Sequence, residues 1–529
     1  MRSISILSLT LALVACPESE APTPGPQTDA GPSTPTDPLL VTTTAGPVLG
    51  QEDGDLRIFK GIPYAAPPVD ELRFKRPQAH PPWTETRDAS EFMPPCPQGD
   101  RFGVPVDWSE DCLGLNVWAH NDENVRSVMV WIHGGSFTEG STDLGLYDLQ
   151  HLARDSDVVA VSLNYRLGAL GFLAAEGLAQ EDEDQVTGNY GIRDQIAALQ
   201  WVQDNIAAFG GNPDSVTVFG ESAGGMSVCM LLAAPSADHL FHRGIIQSGG
   251  GCWAYPQLRD ESPAESGIEA WESILIALDC KGSDDVADCL RRKPASAFIN
   301  AVGAQQNFNV RPVVDGSLIV GQAYDLLSRH QITDKALLVG ANAHESTFWQ
   351  AGQEITPEQF QTTLETYFPM QAERLLEMYP ATDKIGAWWA NAQFWSDLYF
   401  ICPMFAFAGA TSGGQEPTYA YFFNHTVAEG PLSYMGASHS YELFYLFKAH
   451  DKLGQYSFTP SPAGERIGYE MRGAWGAFAA GGAPSPPSEW PSYSATTEST
   501  GTFASLATSL KQDVVGSRCR DLRDMGLGR

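Results

Sequence analysis

The stretch Val216-Thr217-Val218-Phe219-Gly220-Glu221-Ser222-Ala223-Gly224-Gly225 decides how the rest of the chain reads. A short β-branched, apolar run enters Gly-x-Ser-x-Gly, and a helix-forming run leaves it. That order predicts a sharp strand-to-helix turn with Ser222 at its apex, in a strained backbone conformation. Gly220 and Gly224 fit because a Cβ at either place would clash in so tight a turn. The turn lifts the Ser222 hydroxyl above a sheet edge. It also sets the Ala223 N–H and the positive end of the next helix beside it.

Working outward, Ile192, Ile196, Leu199, Val202, Ile206 and Phe209 recur at helical spacing, predicting a helix over 190–209 with one apolar face. Gly210-Gly211-Asn212-Pro213 should end it and turn the chain into the next strand. Val128–Ile132, Val158–Leu163 and Val216–Phe219 are short, apolar and β-branched, as in strands covered on both faces. Ile245–Ile246 and Leu337–Val339 read as further strands. This β-α-β rhythm predicts an α/β fold, a mostly parallel twisted sheet flanked by helices. Residues 253–439 are richer in helical pattern and predict an inserted helical cap region over the catalytic edge.

The chain has 529 residues, 43% of them hydrophobic, enough to bury a sizeable core. The length would permit several domains, but one α/β body over 39–529 is expected, with no repeat and no second linker. Asp and Glu number 64 against 32 Lys and Arg, a net charge of −32. Such a chain repels phosphate backbones, so no nucleic-acid partner is expected. The sequence assigns no oligomeric state.

The first residues, MRSISILSLTLALVAC, place Arg2 before an apolar run that is too short to span a bilayer. Residues 1–15 read as a signal peptide. Leu13-Val14-Ala15-Cys16 resembles the bacterial lipobox, which implies lipidation of Cys16. Residues 16–38 are Pro- and Thr-rich and acidic, without aromatic residues, and read as a disordered tether. The chain is expected to be exported and held at the outer membrane or cell surface through Cys16, its only membrane contact.

Two more stretches carry chemistry. Trp131-Ile132-His133-Gly134-Gly135-Ser136-Phe137 is a strand followed by a Gly-rich turn, where backbone N–H groups can approach a substrate oxygen. After the candidate strand at 337–339, Glu345 stands just past the strand end, at the catalytic edge. A neutral Ser needs a base and the base an orienting carboxylate. In the order Ser, acid, His, three histidines follow Glu345. His439 opens an apolar helix from a loop, whereas His425 and His450 read as surface residues.

Taken together, residues 209–225 resemble the nucleophile signature of type-B carboxylesterases. That α/β-hydrolase family includes carboxylesterases, cholinesterases and non-catalytic adhesion relatives. Gly61–Ala65, Leu72–Phe74, Ser109–Leu113, Tyr165–Gly168 and Trp475–Tyr493 agree with it. Gly114 and His120 depart from the usual second signature. The resemblance implies a serine esterase acting on a small ester without cofactor or metal. Its triad would be Ser222, Glu345 and His439, with oxyanion donors Gly135, Ser136 and Ala223. Ser136 stands where the family often has Gly, and His344 where it has Asp. Glu221 would either favour the protonated His or only brace the turn. The adhesion relatives supply a rival, a non-catalytic binding module; they typically lack the nucleophile that this chain keeps.

The family's choline sites use an aromatic residue well before the second Cys of the first disulfide loop. Here the loop's one Trp, Trp108, sits close to Cys112, so quaternary-ammonium specificity is not expected. Nine cysteines include Cys16. The resemblance implies the pairs Cys96–Cys112, Cys280–Cys289 and Cys402–Cys519, and leaves Cys229 and Cys252 open. The acidic run Glu181–Asp184 reads as a solvated loop.

Overall fold

A computed structural model describes residues 37–100, 105–262, 266–305, 308–427, 432–452, 454–485 and 490–528. The expected signal segment, Cys16 and all but the last two residues of the expected tether lie outside them.

Among the described residues the main sheet has eleven strands. In chain order they are β1 (Gln51–Asp53), β2 (Leu56–Pro63), β3 (Gly114–His120), β4 (Arg126–Ile132), β5 (Val159–Leu163), β6 (Gly211–Glu221), β7 (Arg243–Gln247), β8 (Ala336–Asn342), β9 (Thr418–Asn424), β10 (Thr500–Ala504) and β11 (Thr508–Lys511). Their spatial order is β11-β10-β9-β8-β7-β6-β4-β5-β3-β2-β1. Every pairing from β5 across to β10 is parallel, and the two margins are antiparallel. The central strands are buried along nearly their whole length, which is why they read as unbroken apolar runs. A small separate sheet joins Leu40–Thr42, Pro47–Leu49 and Arg87–Asp88.

Register brings the strand ends together. Ile132 of β4 pairs with Gly220 of β6. Gln247 of β7 pairs with Glu221 and also with Gly340 of β8. The chain therefore leaves β4, β6, β7 and β8 on one edge, where ligands bind in sheets of this kind. His133, Ser222, Ser248 and Glu345 all lie within three residues of those exits.

The predicted helix forms as Tyr190–Asn205 and tightens to a 3₁₀ turn over Ile206–Phe209. Gly210 ends it at φ 86°. The next strand starts earlier than its apolar run suggests, at Gly211, because Gly211 pairs with Arg126, and the register shift before the Val128–Val216 pair puts its extra residues in β6. The 253–439 region is not one insertion. It comprises two helical excursions, one between β7 and β8 and one between β8 and β9, because Ala336–Asn342 and Thr418–Asn424 return to the sheet.

Among the described residues four disulfides form: Cys96–Cys112, Cys280–Cys289, Cys402–Cys519 and the pair left open, Cys229–Cys252. The last ties the helix after Ser222 to the loop after β7. The acidic run is not simply solvated. Arg76 reaches Asp182 at 2.8 Å and Asp184 at 2.7 Å, and Arg291 binds Glu181. His425 is not at the surface either. It is 3% exposed, its Nδ1 lies 2.7 Å from Ser505 Oγ, and Tyr445 packs on its ring. Burial and the nearby Arg466 press its pKa down to about 4. His450 is partly buried against Phe458.

Candidate active site

Ser222 sits between β6 and the helix Ala223–Leu232 with φ 56° and ψ −121°. This is a region that non-glycine residues avoid, at a cost of order 1–3 kcal/mol. The turn is held from both sides: the Ser222 N–H donates to Gln247 O at 2.9 Å, and Ser222 O accepts from Met226 N at 2.9 Å. Gly224 is required by close approach, since a Cβ there would lie 2.0 Å from Ile132 O.

The Gly-rich turn after β4 abuts this elbow. A side chain on Gly134 would begin 3.2 Å from the Ser222 Cβ. Beyond it Gly135 has φ 107° and Ser136 φ 53°. The Thr138 and Glu139 N–H groups both donate to Gly135 O, closing the turn. Among the described residues the N–H groups of Gly135 and Ser136 donate to no protein acceptor. Ala223 opens its helix, so its N–H has no acceptor within it.

Glu345 is fully buried and follows β8 by three residues. Its Oε1 accepts from the Asn342 N–H at 2.7 Å and from Ser248 Oγ at 2.6 Å. Its Oε2 lies 2.6 Å from His439 Nδ1. These bonds fix the carboxylate and hold His439 with a proton on Nδ1. His439 is 4% exposed, and its Nε2 makes no hydrogen bond. The structure thus joins two of the three expected partners directly. Ser222 makes no hydrogen bond to the ring; its link to the pair runs through its neighbour Glu221, whose carboxylate meets His439. Such bonds at catalytic sites often tighten only when substrate binds.

Glu221 does more than brace the turn. Its Oε1 lies 3.1 Å from His439 Nε2 and accepts from Ser440 Oγ at 2.8 Å. A third buried carboxylate, Glu442, lies three residues beyond His439 in the first turn of the helix Tyr441–Leu446 and accepts from Gln247 Nε2 at 3.1 Å and Asn342 Nδ2 at 2.5 Å. Burial alone would push the His439 pKa down. The charges of Glu221 and Glu345, the Glu345 hydrogen bond and Glu442 overcome it and raise the ring to about 9. Burial and the neighbouring carboxylates in turn raise Glu442, and burial raises Glu221.

The sign of the pH dependence follows. The charged ring's contribution to stability is complete below its ordinary pKa of 6.5 and is lost as pH rises through about 9. A base acts only when unprotonated, so activity that depends on His439 is gained over that same range. Glu221→Gln removes an opposite charge within 4 Å of the ring. It should therefore move the rising limb of kcat/KM to lower pH by about one unit or more. A pH–rate profile superimposable on that of the parent would show that Glu221 does not charge the ring.

Aromatic side chains wall the ring. Trp349, Phe400 and Phe348 lie 4.8, 5.0 and 6.2 Å from the His439 ring centre. Trp349 and Phe400 stack on each other at 5.4 Å. Ser248, Asn342, Gln247, Glu442 and this wall were not anticipated from sequence. Only Glu442, three residues beyond His439 on an apolar helix, left a local signal: an acid where the helix should be buried. Among the described residues no cluster of three His, Cys, Asp or Glu side chains could hold a metal ion, and no helix is long and apolar enough to cross a membrane.

Comparison with known proteins adds to this geometry. A family model described as the carboxylesterase family matches residues 37–520. The chain is 31% identical over 470 residues to a fumonisin B1 esterase of Sphingopyxis macrogoltabida, covering 86% of this chain and 85% of that one. It is 31% identical over 456 residues to a cholinesterase of Mus musculus, covering 77% and 74%. Of solved structures, a PNB esterase superposes with a TM-score of 0.78 at 30% identity, covering 92% of this chain and all of the other.

Proposed function

The chain belongs to the carboxylesterase family and is a carboxylic ester hydrolase of the α/β-hydrolase fold, and from that premise we propose that it works through an acyl-enzyme on Ser222, with His439 as base and Glu345 as the orienting acid. The observation that carries the reading is the bond between Glu345 Oε2 and His439 Nδ1 at 2.6 Å. It turns Nε2, the atom without a hydrogen bond, toward proton transfer.

Ser222 Oγ attacks the ester carbonyl carbon as Nε2 takes its proton. The carbonyl oxygen becomes an oxyanion held by the N–H groups of Gly135, Ser136 and Ala223, each worth roughly 3 kcal/mol at the transition state. Collapse breaks the C–O bond, and His439 gives its proton to the departing alcohol. Water then attacks the acyl-Ser222 carbonyl, with His439 again as base, and releases the acid. The positive imidazolium forms beside Glu221 and Glu345, so those carboxylates lower the energy of the charged intermediate. They also slow the start at low pH, because their charge keeps the base protonated.

The first test is hydrolysis of p-nitrophenyl acetate and butyrate by the full chain, with a pre-steady-state burst of one p-nitrophenol per chain where deacylation is slow. A folded chain without turnover would sink the reading. The four disulfides suit an oxidising compartment. They accord with export behind residues 1–15, which we propose together with lipid attachment at Cys16. A Cys16→Ser chain that stays in the membrane fraction would refute the attachment.

A further inference from the structure

We propose that His344 is a positioning residue for His439: its Nδ1 accepts the Ala437 N–H and so pins the loop that carries His439 against the loop that carries Glu345. This rests on the reading of His439 and Glu345 as base and acid.

The two loops meet as a short two-bond bridge. The His344 N–H donates to Ala437 O at 3.0 Å, and the Ala437 N–H donates to His344 Nδ1 at 3.0 Å. Glu345 follows one end of the bridge directly, and His439 lies two residues beyond the other. The second bond exists only while Nδ1 keeps its lone pair. Burial, together with the charge of Arg518, presses the ring's pKa down to about 4 against the opposing pull of Glu345, so the ring stays neutral where the enzyme would work. Trp389 packs edge-on against it at 5.1 Å and fixes its plane.

Gly436 shows that the loop is shaped to this ring. It has φ 68°, and a Cβ there would lie 2.5 Å from His344 Nδ1. The backbone therefore passes directly over the imidazole. Other bonds join the same loops, including Thr347 Oγ1 to Met435 O at 2.8 Å and Asn342 Nδ2 to Ser438 O at 2.7 Å. One longer bond joins the two residues directly, from the His439 N–H to Glu345 O at 3.3 Å. The two 3.0 Å bonds at His344 flank it, so their loss leaves that long bond to hold the 2.6 Å contact between Glu345 and His439.

Two substitutions in the full chain separate the acceptor from the ring. His344→Phe keeps an aromatic ring against Trp389 but has no acceptor. His344→Asn gives up the ring but puts Oδ1 where Nδ1 was. The readouts are kcat and KM for p-nitrophenyl butyrate and the far-downfield proton resonance of His439 Nδ1–H, recorded at pH 7. For His344→Phe, kcat should fall roughly 10–100-fold with KM nearly unchanged, since a misplacement of about 1 Å costs that order in rate, and the resonance should disappear. His344→Asn should restore both the rate and the resonance.

An unchanged kcat and resonance in His344→Phe would overturn the proposal. So would a His344→Asn chain as slow as the Phe variant, which would assign the effect to ring packing. If the Phe variant does not fold, the Asn variant alone decides. Turnover by Ser222→Ala in the same assay would instead sink the esterase mechanism, which keeps the two failures apart.

Discussion

Ser222→Ala should lower kcat for p-nitrophenyl butyrate by roughly 10⁵–10⁶-fold, as removal of the nucleophile does where a triad acts as a unit. The substitution removes one oxygen and leaves the backbone alone. Alanine inherits the same φ of 56° and the same bonds from Ser222 N to Gln247 O and from Met226 N to Ser222 O. Gly135, Ser136 and Ala223 keep their N–H groups in place. Substrate should therefore still bind with a KM near that of the parent, and circular dichroism and melting should be unchanged. The size of the loss is diagnostic. A drop of tenfold or less would mean that water or another side chain attacks the carbonyl, and the acyl-enzyme would have no place in the mechanism.

The second large effect is expected from Glu345→Gln, about 10⁴-fold in kcat. The carboxylate takes three short contacts: the Asn342 N–H at 2.7 Å, Ser248 Oγ at 2.6 Å and His439 Nδ1 at 2.6 Å. A carboxylate can accept all three. A glutamine has one acceptor oxygen and must turn its NH₂ toward at least one donor. If that donor is His439, the ring moves its proton to Nε2, and the atom that should take the Ser222 proton already carries one. The negative charge that stabilises the imidazolium is lost as well. Because Glu345 is fully buried, the substitution should also lower Tm. Kinetics must therefore be read at a temperature where circular dichroism shows the variant folded. Activity within tenfold of the parent would show that Glu345 does not orient the base.

The elements around Ser222 were legible because their signals are local. A β-branched run, Gly-x-Ser-x-Gly and the first residues of the following helix occupy the ten consecutive positions Val216–Gly225. Glu345 and His439 could be placed because the fold's chain order and strand ends restrict where an acid and a base can stand. The shell that tunes them was not legible. Ser248 reaches Glu345 across 97 residues, and Gln247 reaches Glu442 across 195. No window of sequence shows such a meeting; the register of β6, β7 and β8 creates it. Phe400 reaches His439 from a π-helical turn at Asp397–Ile401.

The misreadings share that cause. His425 follows the end of β9 among polar neighbours, yet Tyr445 and Ser505 cover it. The acidic run at 181–184 has no basic partner nearby in sequence, yet Arg76 is folded onto it. The pair that the sequence left open, Cys229–Cys252, forms for the same reason: the helix after Ser222 and the loop after β7 leave the same sheet edge.

The central claim is that a single serine hydroxyl, raised on a strained turn, is made nucleophilic by His439 and Glu345. It is tested most directly by mixing the full chain with a fluorophosphonate, which needs the base and oxyanion donors but not the correct ester. Peptide mass mapping should find one phosphonyl group per chain, on Ser222, bound at a rate that follows the His439 titration. A chain that stays unlabelled while hydrolysing esters, or a label on any other residue, would contradict the account.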